Sequence, residues 1–287
     1  TIVSLTRIEP PLHPPGPEKM LMDFGVEPEE FREQELLDWF KEVQLQQLTK
    51  ITEGIFAPWA FYKKDFQEIG GHDPLYAPQS KEDSDIFNRF QLNGIKFKQT
   101  WGGCVYHMTC RGSRRNTVDK AKNIYEDSPE WLAQNQRSTR NFIRKWGHFV
   151  SHDELMKPLI PPKYDIGLVL KVNNIQLLRE LEPWVSTVYC DTHLGNHYKI
   201  TEQPETMMDL EERVKSYSSE KTNNIIVEFT SEVFNQAEMQ QIFYYFQNIS
   251  SIIRNSGEIG QFELGKLKIT INSLETFEKN LIKCFTV

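Results

Sequence analysis

The alternation of apolar and polar positions predicts strands and helices that follow one another along most of the chain. In the first part, apolar runs typical of strands cover residues 1–5, 55–62 and 95–105. Apolar residues at helical spacing cover residues 28–50, and again 82–94, where Asn93-Gly94 supplies a stop signal. The pattern predicts an α/β fold for this part of the chain.

The second part repeats this alternation with a different spacing. Residues 116–150 are polar with one apolar face and predict a helix. Further strands are expected at 166–172, 184–190, 225–229 and 262–271, and helices at 174–182, 207–217, 236–254 and 274–284. The alternation predicts a small α/β domain, whose sheet is either mixed or purely parallel.

Proline density sets the expected domain boundaries. Residues 158–163 contain three prolines and are expected to form a linker between domains. This divides the chain into a first domain at 1–115, a helical extension at 116–157 and an α/β accessory domain of unknown role at 164–287.

Composition narrows the class of protein. The chain has 287 residues and a net charge of −7, which argues against bulk binding of nucleic acid. No apolar run approaches the roughly 20 residues that cross a bilayer, and no signal peptide opens the sequence. The four cysteines show no metal-type pairing and are expected to be reduced thiols, so a cytoplasmic location is the default expectation.

Residues 59–115 concentrate the candidate chemistry. An acidic cluster, Glu82-Asp83-Ser84-Asp85, follows the glycine turn Gly70-Gly71 and precedes His107. A basic loop follows, with Arg111, Arg114 and Arg115. Carboxylates, a histidine and guanidinium groups are what a site for a metal-bound diphosphate and a sugar hydroxyl needs.

This segment resembles the acceptor-side half of family 2-type glycosyltransferases with the GT-A fold. The resemblance covers residues 1–115, and His72 stands where the family usually has an aromatic residue. The matching positions are Phe66, Ile69, Gly70, Gly71, Asp73, Glu82, Asp83, Arg89, Gly94 and His107. The fold that it implies is an incomplete GT-A-like, Rossmann-like acceptor half, followed by the smaller α/β domain at the C-terminus.

The resemblance implies roles for particular residues. Asp83 would be the base of an inverting transfer, with Glu82 binding acceptor hydroxyls or exchanging that role. His107 would complete the shell of a Mn²⁺ or Mg²⁺ ion. The arginine loop would fold over the donor diphosphate. Acceptor contacts are expected from Trp59, Gly70, Gly71, Asp85 and Trp101.

Each of these residues also has an ordinary structural interpretation. The acids could cap a helix, the glycines could form a simple turn, and the tryptophans could pack in the core. His107 could be a satisfied structural histidine and the arginines a solvated loop.

The resemblance lacks one part of the family pattern. GT-A enzymes begin with a nucleotide-binding half that ends in Asp-x-Asp, and every candidate for it would have to precede residue 1. The leading prediction is a glycosyltransferase that uses a nucleotide-sugar donor and a glycan, lipid or protein acceptor. The alternative is an inactive GT-A-like fragment that serves as a binding or structural module. A metal-dependent hydrolase using Glu82, Asp83 and His107 is a third possibility.

Three other features do not change this interpretation. His148 and His152 are four residues apart but lack the His-Glu-x-x-His arrangement of a zinc site. His193 and His197 lie in a Gly-Asn segment where a helix is not expected. The aromatic run at residues 243–246 predicts a buried helix or a contact face for a protein partner.

Overall fold

The computed structural model describes residues 1–12, 14–108, 115–119 and 124–284, with the backbone alone at Gln44 and at 115–119, 124 and 125. It is a mixed α/β protein with two larger sheets and one hairpin, which confirms the predicted fold class. Within the described ranges no helix combines the length and apolar character needed to span a membrane.

The first sheet has β1 and β5 at its centre. Its strands are β1 (Ile2–Glu9), β2 (Lys19–Leu21), β3 (Ile51–Thr52), β4 (Trp59–Ala60) and β5 (Phe97–Tyr106). The order is β2-β1-β5-β3, with β4 paired to β1, and β1 runs parallel to β5 and β2. The strand predicted at 55–62 is reduced to the two residues of β4, because the preceding segment lies in the loop around Pro58.

Three helices accompany this sheet: α1 (Glu33–Gln47), α2 (Lys63–Glu68) and α3 (Glu82–Leu92). α3 begins at the predicted residue and stops before Gly94, whose φ of +75° suits glycine. Its apolar face packs into a core cluster formed by Ile2, Ile55, Ile69, Ile86, Phe87, Phe90 and Phe97. α1 begins five residues later than predicted, since residues 28–30 form a separate 3₁₀ turn.

A hairpin and a long helix follow the first sheet. The hairpin is β6 (Arg115–Asp119) with β7 (Ile124–Asp127), and the helix is α4 (Pro129–Trp146). The helix predicted for residues 116–150 is therefore wrong for its first part. α4 begins where Ser128 accepts a hydrogen bond from the backbone N–H of Trp131 and proline occupies the first helical position.

The second sheet contains β8 (Ile166–Val169), β9 (Thr187–Cys190), β10 (Val214–Ser216), β11 (Ile225–Phe229), β12 (Gly260–Leu264) and β13 (Leu267–Ile271). Its order is β10-β9-β8-β11-β13-β12, with the first four strands parallel and the last two antiparallel. The sheet is mixed, which decides between the two predicted alternatives. Its helices are α5 (Ile175–Leu181), α6 (Thr192–Glu202), α7 (Leu210–Arg213), α8 (Gln236–Gln247) and α9 (Ile249–Ser256).

Several predicted elements of this second region have different boundaries. The long helix divides at Asn248, and the strand predicted at 262–271 is a hairpin that turns at Gly265, with φ +59°. The helix predicted at 274–284 is only a short turn at Glu278–Leu281, and the helix predicted at 207–217 is reduced to α7 followed by β10. α6 contains His193 and His197, so the expectation of a loop there is wrong. The 243–246 run is one-sided: Phe246 is fully buried and Tyr244 is exposed.

α4 contacts both regions. Phe142 and Trp146 pack with Leu75 and Tyr76 from the first region and with Met208 from the second. Arg144 bonds Glu182 at 2.8 Å, and Lys145 bonds Asp73 at 2.7 Å. Residues 158–163 run between the regions outside the helices and strands, with Pro158 and Lys163 buried. The start of α3 and the loop after α4 are thereby held close together.

Candidate active site

A cleft at the amino-terminal end of α3 contains the two carboxylates that were predicted to be catalytic. Its volume is about 470 Å³, and we call it the carboxylate cleft. Its walls come from the start of α3, from the loop after α4 and from Phe56. The lining residues are Phe56, Ser80, Lys81, Glu82, Asp83, Ser84, Phe87, Asn88, Val150, Ser151, His152, Met156 and Pro158. Glu82 and Asp83 therefore share one cavity.

The backbone around the carboxylate cleft is conformationally unusual. Ser80, Lys81 and Met156 have φ values of 79°, 74° and 66°, in the left-handed region. Among the described residues other than glycine, these are the ones with positive φ, and all three line the cleft. Each costs roughly 1–2 kcal/mol for an L-residue, and such conformations cluster at functional sites because surrounding structure must enforce them.

Hydrogen bonds to α4 hold the start of α3 in this conformation. Ser80 Oγ donates to Asn135 Oδ1 at 2.7 Å, and Lys81 Nζ donates to the same oxygen at 2.8 Å. One amide of α4 thus fixes both left-handed residues. The first turn of α3 is presented to the cleft by this contact.

Burial and like charge shift the two carboxyl groups in the same direction. Partial burial raises the pKa of Glu82, and the neighbouring charge of Asp83 raises it further, against hydrogen bonds from backbone N–H groups and the charge of His72. Asp83 is exposed at the mouth of the cleft, and partial loss of surrounding water also raises its pKa, again opposed by His72. Neither carboxylate forms an ion pair within the described part of the chain. Both are thus stronger proton acceptors than an ordinary surface carboxylate.

Two buried polar atoms of the carboxylate cleft lack a hydrogen-bond partner. They are Oε2 of Glu82 and Nδ2 of Asn88, and neither has a partner among the described residues. Asn88 is only 3% exposed. Because buried polar groups are normally satisfied, an unpartnered acceptor and an unpartnered donor in the lining of one cleft suit the hydroxyl groups of a ligand.

His152 is a residue of this cleft that the sequence did not reveal. It is exposed, and its Nδ1 lies 2.9 Å from the carbonyl oxygen of Asp153. When the ring is neutral, that contact places the proton on Nδ1 and leaves Nε2 as a proton acceptor. Sequence spacing paired His152 with His148, whereas the fold places it opposite an acidic pair about seventy positions earlier.

His148 belongs to the protein interior. Its ring packs edge-on against Phe142, its Nδ1 lies 2.6 Å from the carbonyl oxygen of Phe149, and burial lowers its pKa to about 4. The two histidines therefore occupy different environments, His148 in the interior and His152 at the cleft.

Asp85 is placed in the core instead of the cleft, which contradicts its expected role in binding the acceptor. Its side chain is 0% exposed and accepts hydrogen bonds from Arg89 Nε at 2.7 Å and Trp146 Nε1 at 2.9 Å. Lys145 Nζ lies 2.7 Å away. Helical geometry explains the error, because residue 85 lies on the same face as Arg89 and opposite the cleft.

Trp101 is also in the interior. It is 5% exposed, its Nε1 donates to Thr52 Oγ1 at 3.1 Å, and Lys50 Nζ lies 3.5 Å from its ring centroid. No face remains open for a sugar ring, so its expected stacking role is not supported. Trp59 is half-buried and packs edge-to-face on Phe87, which itself lines the carboxylate cleft.

The glycine turn has a conformational role that can be seen directly. Gly70 and Gly71 have φ values of +87° and +79°, which L side chains rarely adopt. A Cβ at Gly70 would lie 2.6 Å from Cys284 Sγ. The turn lets the C-terminal segment approach closely, and it does not line the carboxylate cleft. The cysteines that the structure describes, Cys104, Cys190 and Cys284, are unpaired.

His107 is fixed by a carboxylate. Its Nδ1 lies 2.8 Å from Oε1 of Glu9, which is buried and also bonds Arg7 and Lys19. Although burial opposes it, hydrogen bonds from His107 and Lys19, with the charge of Arg7, lower the pKa of Glu9. This contact orients the ring of His107, whose side chain is half-exposed, in the way that carboxylates orient the rings of metal-binding histidines.

The arginines that were expected to contact the donor diphosphate cannot be located relative to His107. Arg111 and Arg114 lie outside the described residues, and so does the side chain of Arg115, the first residue of β6. Across the ranges that the structure describes, no group of three His, Cys, Asp or Glu side chains could hold a metal ion. The described residues thus do not by themselves form a metal site.

A larger cavity of about 600 Å³ lies at the amino ends of β8, β9 and β11. Its cations have internal partners: Arg144 pairs with Glu182 and Glu202, and Arg213 pairs with Glu182. Lys163 Nζ donates to the carbonyl oxygen of Arg144, and burial lowers its pKa to about 7. Because the charged groups of the larger cavity are already paired within the protein, the smaller carboxylate cleft is the better candidate for a catalytic site.

Comparison of the chain with models of protein families, with curated proteins and with solved structures gave no match.

Proposed function

We propose that this chain carries the acceptor-binding and proton-accepting part of a glycosyltransferase, with the carboxylate cleft as its site. The observation that carries the proposal is the pair Glu82 and Asp83, which share one cavity and form no ion pair within the described part of the chain. The raised pKa of each suits a general base. The resemblance of residues 1–115 to GT-A enzymes supports the same assignment.

In this proposal Asp83 accepts the proton of an acceptor hydroxyl. The hydroxyl oxygen then attacks the anomeric carbon of the sugar, a C–O bond forms, and the bond to the nucleotide diphosphate breaks, with inversion. Glu82 accepts a hydrogen bond from a neighbouring hydroxyl, and Asn88 donates one. The strained backbone of Ser80 and Lys81 holds both acids in position before substrate arrives.

The expected Mn²⁺ or Mg²⁺ ion rests on the resemblance. Such an ion offsets charge on a leaving diphosphate. His107, with Nδ1 held by Glu9, offers Nε2 as one ligand. The other ligands would come from residues outside those described or from the nucleotide-binding half that the resemblance requires. An accessory role for the C-terminal α/β domain and a cytoplasmic location belong to the same proposal.

The experiment uses the longest natural form of the protein. UDP-, GDP- and dTDP-sugars are titrated by calorimetry with Mn²⁺, and turnover is compared for wild type and Asp83→Asn. We expect binding of at least one donor, and a loss of turnover of about 10²–10⁴-fold in the variant with donor affinity retained. A folded protein that binds no nucleotide sugar would contradict the proposal.

The competing proposal is an inactive GT-A-like module that binds a partner. The internal pairing of Asp85 and the placement of Trp101 in the core favour it, since both leave the acceptor site with fewer contacts than predicted. The same titration separates the two proposals, because a binding module would show neither donor binding nor turnover.

A further inference from the structure

A second cleft adjoins the carboxylate cleft. Its volume is about 570 Å³, and it lies among α4, α5, α8 and the turn at 182–184. We call it the arginine cleft, after Arg140 and Arg179 in its wall. Asn135 lines it and accepts the hydrogen bonds from Ser80 and Lys81, which line the carboxylate cleft. The two clefts thus share a wall, and one extended ligand could occupy both.

Positive charge is the first feature of the arginine cleft. Arg140 pairs with Glu202, while its Nε is buried and has no partner among the described residues. Arg179 is exposed and forms no ion pair within the described ranges. Burial lowers the pKa of Arg140, and the nearby charges of Arg144 and Arg179 lower it further. The two guanidinium groups therefore repel one another, and a bound anion would reduce that repulsion.

Glu180 is the acidic side chain among the residues that line this cleft. It accepts a hydrogen bond from Gln176 at 3.0 Å. It lies on the exposed side of α5 and does not contact either arginine through a described ion pair. Since Arg140 already pairs with Glu202, Arg179 is the cation of this cleft that has no ion pair within the described ranges.

Aromatic rings and amides complete the lining. Phe149 and Trp184 meet edge-to-face with centroids 4.9 Å apart, and Phe149 is 45% exposed. Phe243 lies beside them, and Gln136 and Gln247 supply amide groups. An apolar ring face stacks against the C–H face of a sugar, and amides both donate to and accept from its hydroxyls.

We propose that the arginine cleft binds an acidic sugar unit of the acceptor, carrying a carboxylate or phosphate, while the acceptor hydroxyl lies in the carboxylate cleft. The proposal rests on the proposed function, and it names the acceptor as an acidic glycan. Guanidinium forks match the two oxygens of a carboxylate or phosphate, which a neutral sugar cannot offer.

The test measures binding and transfer separately. Tetragalacturonate, a chain of four uronic acid units, is titrated calorimetrically into the full-length protein, with its methyl-esterified form as the neutral control of the same shape. A phosphate-substituted mannose tetrasaccharide distinguishes the two anionic sources. The variants are Arg179→Gln in the cleft and Lys96→Gln as the control, an exposed cation before β5 without a described ion pair. The indole signal of Trp184, assigned with Trp184→Phe, reports the position of the ligand.

We expect an acidic chain to bind at least about tenfold more tightly than the neutral chain, and Arg179→Gln to lose about tenfold, as for one charge-assisted hydrogen bond. Lys96→Gln should leave affinity unchanged. Equal binding of the charged and neutral chains, or no effect of Arg179→Gln, would overturn the inference. Transfer to the neutral chain without binding of either acid would overturn it while leaving the proposed function intact. Binding of an acid without transfer from any donor would overturn the proposed function and leave the arginine cleft as an acidic-sugar site.

Discussion

Two acidic centres lie within one turn of each other on α3, and their surroundings differ in every respect that matters for chemistry. Asp85 is fully buried between Arg89 and Lys145. Glu82 and Asp83 lie at the cleft, where backbone strain, unpartnered polar atoms and raised pKa values come together. The sequence gives three similar acids, and the fold separates a structural one from two candidates for reactivity.

The difference shows which surroundings make a carboxylate structural and which leave it available as a base. A carboxylate in the core needs cations and hydrogen-bond donors around it, and these partners occupy the oxygens that a base would use. A carboxylate that is partly desolvated without a cation retains its affinity for protons. The number of bonding partners and the contact with solvent therefore distinguish a structural carboxylate from a candidate base better than its position in the sequence does.

The largest expected effect is on stability, at Asp85. Asp85→Asn keeps the shape of the side chain but leaves Arg89 and Lys145 without the carboxylate that they contact. Breaking a buried ion pair costs about 3–5 kcal/mol of unfolding free energy. Urea denaturation measures this loss. Asp83→Asn is the matched control, and a change of less than about 0.5 kcal/mol is expected there, as at other surface sites. Equal losses at both positions would remove the distinction between the two centres.

A second effect concerns acid stability, at Glu182. Although burial opposes it, the charges of Arg144 and Arg213 lower its pKa from 4.5 to about 2. Because the pKa in the folded state lies below the unfolded value, the stabilisation is fully present above pH 4.5. It is lost as the pH falls towards 2, and it amounts to roughly 3 kcal/mol.

Glu182→Gln removes that titration. The variant should be less stable than wild type at pH 7, and the gap should narrow as the pH falls below 4.5, when chemical denaturation is followed from pH 7 to 2.5. A gap that stays constant over this range would show that Glu182 does not titrate as the ion pairs require.

A smaller effect tests the strained backbone of the carboxylate cleft. Met156 has φ 66°, a conformation that asparagine tolerates and that β-branched residues rarely adopt. Met156→Asn should keep or slightly raise the unfolding free energy, whereas Met156→Val should be at least about 1 kcal/mol less stable than Met156→Asn. Thermal and urea denaturation of the two variants decide this. Similar stabilities would mean that this position is not strained.

The smallest effect is a change of charge within the cleft. Asp83 raises the pKa of Glu82 through its like charge. Asp83→Asn should therefore lower the pKa of the Glu82 carboxyl group, as followed by carbon NMR of labelled protein across pH 3–8. Asp83→Glu, which keeps the charge, should leave it nearer to the wild-type value. An unchanged pKa in Asp83→Asn would mean that the two groups do not interact.

Local signals explain which elements could be predicted from the sequence. α3 was placed correctly because an acidic first turn, an apolar face and Gly94 mark its start, side and end. The helix expected from residue 116 failed because a polar segment with scattered aromatic residues fits a hairpin equally well before Ser128 caps α4. The 262–271 hairpin was missed because one glycine, Gly265, carries the whole turn signal.

Only part of the carboxylate cleft could be predicted from the sequence. Glu82 and Asp83 stand together in the sequence, so their proximity needed no tertiary information. His152 and Asn88 reach the cleft through packing between α3 and the loop after α4, which no spacing encodes. The interior positions of Asp85 and Trp101 likewise depend on partners far along the chain, such as Trp146 and Thr52.

The most direct test is to measure turnover and unfolding on the same preparations of wild type, Asp83→Asn and Asp85→Asn. The account predicts that Asp83→Asn loses about 10²–10⁴-fold in sugar transfer and keeps the wild-type unfolding free energy. Asp85→Asn should lose several kcal/mol of stability, about 3–5 by the cost of an unpaired buried charge. An Asp83→Asn protein that transfers sugar at the wild-type rate would contradict the central claim that the carboxylate cleft is the catalytic site.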